Sequence, residues 1–146
     1  MEWGGWAVFL EGKENGDLYI SVLADEMLRS VDHCIPEEHL REWVLLQDGA
    51  SCHTSGKTKK WLEDHQIRVI DHPPLSPDLN PIENLWKQVK DQVFKKKCIY
   101  DSKEDLKRAF SDVFYSIERC SCRELIKSMP LRMKEVCKAK GGYINY

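Results

Sequence analysis

Apolar positions change their period along the chain, and each change marks an element. Residues 6–10 and 18–23 are apolar, β-branched or aromatic runs flanking a polar stretch, Glu11 to Asp17. Within that stretch Asn15-Gly16 suits the positive φ angles of a tight turn, which predicts a β-hairpin. Ala24 to about Val31 has helix formers with apolar residues at Met27, Leu28 and Val31, and Pro36 opens a second short helix through Glu42. Trp43 to Leu46 is a continuous apolar run, as in a strand covered on both faces, and it breaks at Gln47-Asp48-Gly49. A helix capped by Thr54 or Ser55 then runs to about His65, and Ile67 to Ile70 predicts another short strand before a proline-rich loop.

The signals sharpen beyond the loop. Asn80 as N-cap, Pro81 at the first helical position and Glu83 at the third open a helix that ends near Lys97, with Ile82, Leu85, Trp86, Val89 and Val93 on one stripe. Ser102 caps a further helix carrying Leu106, Phe110, Val113, Phe114 and Ile117, and a last helical stretch from about Ser121 stops at Gly141-Gly142. Strand, helix and strand followed by helices predict an α/β class.

Composition narrows this picture. A chain of 146 residues, 42% hydrophobic and 32% charged, is the size of one ordinary domain with its own core. No apolar run approaches the roughly 20 residues that span a bilayer, and Glu2 stands where a signal peptide carries basic residues. An intracellular, membrane-free protein is expected. Among the six cysteines no Cys-x-x-Cys pair occurs, and Cys120-Ser-Cys122 and Cys52-His53 are poor ligand pairs for tetrahedral zinc, so free thiols are expected. The net charge of -2 hides a gradient: residues 1–46 sum to -7, residues 47–86 to -2 and residues 87–146 to +7. Such polarity suits phosphate contact at the C-terminal half, and a solvated helical surface gives the same count.

Two carboxylates stand out by position. Asp48 leaves a buried strand, and ligands of open α/β sheets gather at such carboxyl ends; Glu83 begins a helix behind a rigid loop. Magnesium or manganese wants hard oxygen ligands, and phosphoryl transfer needs convergent carboxylates to hold it. Equally, Asp before Gly is an ordinary turn former and Glu at the third helical position an ordinary capping residue, able to pair with Lys87. Gly56-Lys57-Thr58 imitates a phosphate-cradling loop, but the spacing from Gly49 is too long, so no nucleotide site is expected.

Gln47-Asp-Gly-Ala-Ser-Cys-His-Thr-Ser55, followed by Pro73-Pro-Leu-Ser-Pro-Asp-Leu-Asn-Pro-Ile-Glu-Asn-Leu-Trp86, resembles the core of the mariner superfamily of transposases, in its Tc-type branch. The 34 residues between Asp48 and Glu83 match the interval which that branch uses between the second and third members of its Asp-Asp-Glu triad. Ser128-Met-Pro130 and Lys138-Ala-Lys-Gly-Gly142 resemble the end of such proteins.

The resemblance implies a ribonuclease H-like mixed sheet flanked by helices, with a helical C-terminal part. Residues 1–146 would form a partial catalytic domain, with the first catalytic strand missing before Trp3-Gly-Gly5 and no separate DNA-binding domain. Asp48 and Glu83 become catalytic metal ligands for magnesium or manganese, His53 and Asn84 supporting residues, and Lys87, Lys90, Lys95, Lys96 and Lys97 weak, non-specific DNA contacts. Glu2 and Asp71 are the nearest substitutes for the first Asp. The implied function is a DNA transposase catalytic-domain fragment whose intact relatives cut and join DNA; this chain alone is expected to be inactive. The alternative is a non-enzymatic domesticated protein that binds DNA or another transposase subunit. A nuclear location and a homodimer or transposase-subunit partner follow from the same resemblance.

Overall fold

The computed structural model describes residues 7–95 and 99–144. Contacts divide the chain into two compact units, one ending at Leu75 and one beginning at Ser76.

In the first unit α1 (Gly16–Val22) continues through a π-helical turn (Leu23–Met27) into α2 (Leu28–Cys34), and a short 3₁₀ turn (Glu37–His39) follows. The hairpin expected over residues 6–23 is therefore corrected at its second strand; Trp6 lies outside the described residues. Asn15 does not turn a hairpin but caps α1, its Oδ1 accepting from Leu18 N at 3.0 Å. Packing overrides the β-branched and aromatic run: the helix continues into Leu23, which is 3% exposed.

α3 (Ser51–Thr54) and α4 (Gly56–Asp64) pack on α1. Ser55 is the cap of α4, as expected, its side chain accepting from Thr58 N at 3.1 Å. Thr58, fully buried, returns a hydrogen bond to Cys52 O at 2.6 Å, which ties α4 to α3. Gly16 meets this cap closely: a Cβ there would lie 2.7 Å from Ser55 Oγ. Gly16→Ala should push the cap aside and lower stability by about 1–2 kcal/mol, the usual worth of a lost N-cap. The urea midpoint measures this, and an unchanged midpoint would show that the contact gives way freely.

The expected mixed sheet is also corrected. Among the described residues the apolar segments around Leu45 and Val69 form one isolated parallel bridge, with Leu45 N donating to Arg68 O (2.8 Å) and Ile70 N donating to Leu45 O (2.9 Å). The two segments lie side by side and parallel, yet no ladder extends from them among the described residues. The physical reason is coverage: Val44 is 40% and Ile70 46% exposed, so these are not strands buried on both faces.

The second unit is helical. A 3₁₀ turn (Pro77–Leu79) leads into α5 (Pro81–Lys95), followed by α6 (Lys103–Ser116), α7 (Arg119–Lys127) and α8 (Met129–Lys138). Leu85, Val89 and Val93 form the buried stripe of α5, spaced at four residues. Trp86 stacks on Phe114 of α6, ring centroids 5.5 Å apart. Ser102 caps α6 through Asp105 N at 3.0 Å, as its sequence predicts. Beyond α8, Gly141 takes φ 84° and its N–H closes on Val136 O at 3.0 Å, a stop that needs glycine.

Candidate functional site

Asp48 follows the Leu45 bridge by three residues, at the point where the chain turns into α3. Its carboxylate is held through one oxygen: Oδ1 accepts from Ala50 N at 3.1 Å and lies 2.6 Å from His53 Nδ1. The side chain remains 52% exposed. The approach to His53 is close but poorly aligned, so the buried Nδ1 has a charge beside it without a well-formed hydrogen bond.

Tyr19 and Gln47 hold the histidine in place. The Tyr19 ring lies against the imidazole, centroids 4.1 Å apart, and its hydroxyl donates to Gln47 Oε1 at 2.8 Å. Gln47 Nε2 in turn donates to His53 O at 3.4 Å. Desolvation by burial, then the charges of Cys52, Asp48 and Glu14, push the Tyr19 hydroxyl up to about 12. The folded state therefore keeps a proton that the unfolded chain loses near pH 10. This contribution is complete below pH 10 and is lost as pH rises towards 12, by about 1–2 kcal/mol after allowing for partial exposure. Tyr19→Phe should flatten the decline of stability between pH 10 and 11.5; an unchanged slope would place the proton elsewhere.

Glu83 stands in the first turn of α5, in the second unit, with its side chain exposed. Two local devices start that helix. Asn80, 5% exposed, accepts from Ile82 N through Oδ1 (3.3 Å), and its carbonyl accepts from Glu83 N (3.1 Å). Arg132 of α8, 1% exposed, then pins both sides of the turn: its guanidinium donates to Asp78 O at 3.0 Å, to Asn84 Oδ1 and to Ser128 Oγ at 2.8 Å. Asp78 Oδ2 also accepts from Ile144 N at 3.1 Å, consistent with a bracket rather than a metal ligand.

Of the residues singled out from sequence, Asp48 and His53 are therefore brought together. Asn84 is engaged by Arg132 beside Glu83. Asp71 is exposed in coil, and Lys57 pairs with Asp17 at 2.9 Å rather than serving a phosphate loop. Lys87, Lys90 and Lys95 are exposed on α5, whereas Glu2, Lys96 and Lys97 lie outside the described residues. Cys34, Cys52, Cys120, Cys122 and Cys137 are free thiols, and Cys98 lies outside the described residues. Tyr19, Gln47 and Arg132 were missed: only the helical spacing of Tyr19 and Leu23 behind the Asn15 cap hinted at the first.

Three comparisons bear on these residues. The family of DDE superfamily endonucleases matches residues 12–107, which include Asp48, His53, Glu83 and Asn84. The Tc3 transposase of Caenorhabditis elegans is 31% identical over 153 aligned positions, covering 100% of this chain and 45% of the relative. The Tcb1 transposase of Caenorhabditis briggsae is 35% identical over 107 positions, covering 73% and 38%. This chain thus spans less than half the length of these relatives. Its backbone superposes on the crystal structure of the catalytic domain of Mos1 mariner transposase with a TM-score of 0.79, over 92% of this chain and 66% of that one; at 23% identity this is a likeness of fold. From the family match, which takes in most of the sequence, the chain belongs to the DDE superfamily endonucleases.

Proposed function

We propose that this chain supplies part of a divalent-metal centre for DNA strand cleavage and transfer, with Asp48 and Glu83 as metal-holding carboxylates. The observation that carries the reading is the setting of Asp48: one oxygen accepts from Ala50 N and lies beside His53, while the carboxylate stays half exposed. Exposed carboxylate oxygens are the donors that magnesium and manganese prefer, so the residues present fit the ion. Solved structures of the Mos1 catalytic domain with manganese and with magnesium support the choice of cation. When bound, such an ion polarises the phosphate and lowers the pKa of an attacking water.

The chain's own residues orient the carboxylates. His53 restrains Asp48, and the Gln47 and Tyr19 contacts restrain His53. The α5 N-terminus favours the negative charge of Glu83, and Arg132 fixes the turn from which Glu83 departs. Lys87, Lys90 and Lys95 give α5 exposed cations for a DNA backbone, where contacts are electrostatic and weaken as salt rises. A nuclear location and assembly with a second transposase subunit belong to the same reading. The test is manganese titration of Asp48→Asn and Glu83→Gln, each of which should bind the ion more weakly than the parent chain.

A further inference from the structure

At the Asp48–His53 pair a second set of donors converges, sharing His53 and adding Glu14 and Cys52, which neither strand transfer nor DNA contact uses. The Glu14 carboxylate, the Cys52 thiol and the His53 imidazole each offer one ligand atom, and these atoms lie within 4.8 Å of one another. His53 Nε2 is 3.9 Å from Glu14 Oε1, while Nδ1 faces Asp48 on the other side of the ring. Cys52 is 6% exposed, whereas the Glu14 side chain is 48% exposed. The cluster is thus closed behind and open to water in front. We propose that Glu14, Cys52 and His53 bind one zinc ion, with water in the fourth position.

The donor set selects the metal. One sulfur, one nitrogen and one carboxylate oxygen suit borderline-soft zinc in a tetrahedral site, whereas magnesium takes oxygen ligands. Zinc bonds of about 2.0–2.2 Å to nitrogen and oxygen give a tetrahedral edge of about 3.3–3.5 Å, so the Glu14 to His53 edge, 3.9 Å here, needs a contraction of about 0.5 Å. Exposed Glu14 has the freedom to close the remainder. A histidine that ligates zinc commonly has a carboxylate on its other ring nitrogen, and Asp48 lies 2.6 Å from that nitrogen, where a small rotation of the ring would align it. Cys52-His53 alone has poor spacing for zinc; the third ligand comes from the segment before α1, which sequence spacing did not reveal. On binding, the Cys52 thiol gives its proton to solvent and its sulfur takes the bond to zinc, with no change of oxidation state. The ion would pin the Glu14 segment to α3.

This inference does not rest on the strand-transfer reading, and its test has a separate readout. Cobalt(II), a spectroscopic stand-in for zinc, is titrated into the purified 146-residue chain without added thiols. One equivalent should produce thiolate-to-cobalt charge-transfer absorption in the near ultraviolet, and zinc should abolish it by competition. Cys52→Ser should remove the band, while Cys34→Ser and Cys137→Ser, at exposed thiols outside the cluster, should leave it intact. Glu14→Gln, an exposed change that leaves the core untouched, should weaken cobalt binding at least about tenfold, and Asp48→Asn about 10–100-fold while keeping the band. No band in the parent chain, a band that survives Cys52→Ser, or unchanged affinity in Glu14→Gln would overturn the assignment. Circular dichroism of the Cys52→Ser protein ensures that loss of the band is not loss of fold.

Discussion

Arg132→Ala is expected to lower the stability of the second unit by about 3 kcal/mol, the largest single-residue effect in this chain outside its apolar core. The guanidinium is 1% exposed and donates to Ser128 Oγ, Asp78 O and Asn84 Oδ1. Hydrogen bonds from a charged donor are worth about 1.5–3 kcal/mol each, and truncation strands their acceptors in a site closed to water. The individual values do not add, because the bonds share one donor group. Arg132→Lys should recover less than half of the loss, since an ammonium cannot bond Ser128 from one nitrogen and Asp78 and Asn84 from another, as the planar guanidinium does through Nε and Nη1. Chemical denaturation followed by circular dichroism at the helical band measures this. A loss below about 1 kcal/mol for Arg132→Ala would mean that the turn before α5 is held by Asn80 and the prolines alone.

That residue also shows where sequence reading stops. α4, α5 and α6 are legible because a capping side chain and an apolar stripe coincide: Ser55 before Thr58 and Leu62, Asn80-Pro81 before Leu85 and Val89, Ser102 before Phe114. Arg132 carries no such local mark. Its partners Asp78 and Asn84 lie 54 and 48 residues away, so only the folded chain makes it a buried clamp. In the linear sequence it is one more cation in a basic C-terminal half.

α1 was obscured for a different reason. Asn15-Gly16 followed by β-branched and aromatic residues satisfies hairpin chemistry and N-cap chemistry equally, and the choice is made by packing. Gly16 lies against Ser55, and Leu23 is buried, neither of which a local window can register. The sheet was over-read from the same kind of cue. Trp43 to Leu46 and Ile67 to Ile70 have strand composition and meet through Leu45 and Val69, but apolar composition does not guarantee coverage on two faces. The candidate site was legible as residue types, with Asp48, His53 and Glu83 at recognisable spacing. Its supporting contacts from Tyr19 and Gln47, and the approach of Glu14, depend on a helix whose start was misassigned.

Asp48→Asn and Glu83→Gln are each expected to weaken manganese binding at least about tenfold, equivalent to about 1.4 kcal/mol, with little change in fold. Both substitutions keep size and hydrogen-bonding capacity while removing the charge that a hard cation needs. For Asp48 the amide can still accept from Ala50 N, so the turn into α3 survives. For Glu83 the helix start is carried by Asn80 and Arg132, and the lost interaction with the α5 dipole costs only about 0.3–1 kcal/mol. Electron paramagnetic resonance of free manganese during titration measures the affinity without requiring catalysis. Two controls separate this centre from the sulfur-containing cluster and from chance acidity. Cys52→Ser should leave manganese affinity unchanged, because the hard ion gains little from a thiol, and Asp71→Asn should leave it unchanged because that carboxylate lies exposed in coil. Affinity that is indifferent to Asp48→Asn and Glu83→Gln, or that falls as far in Asp71→Asn, would defeat the proposal that these carboxylates hold metal.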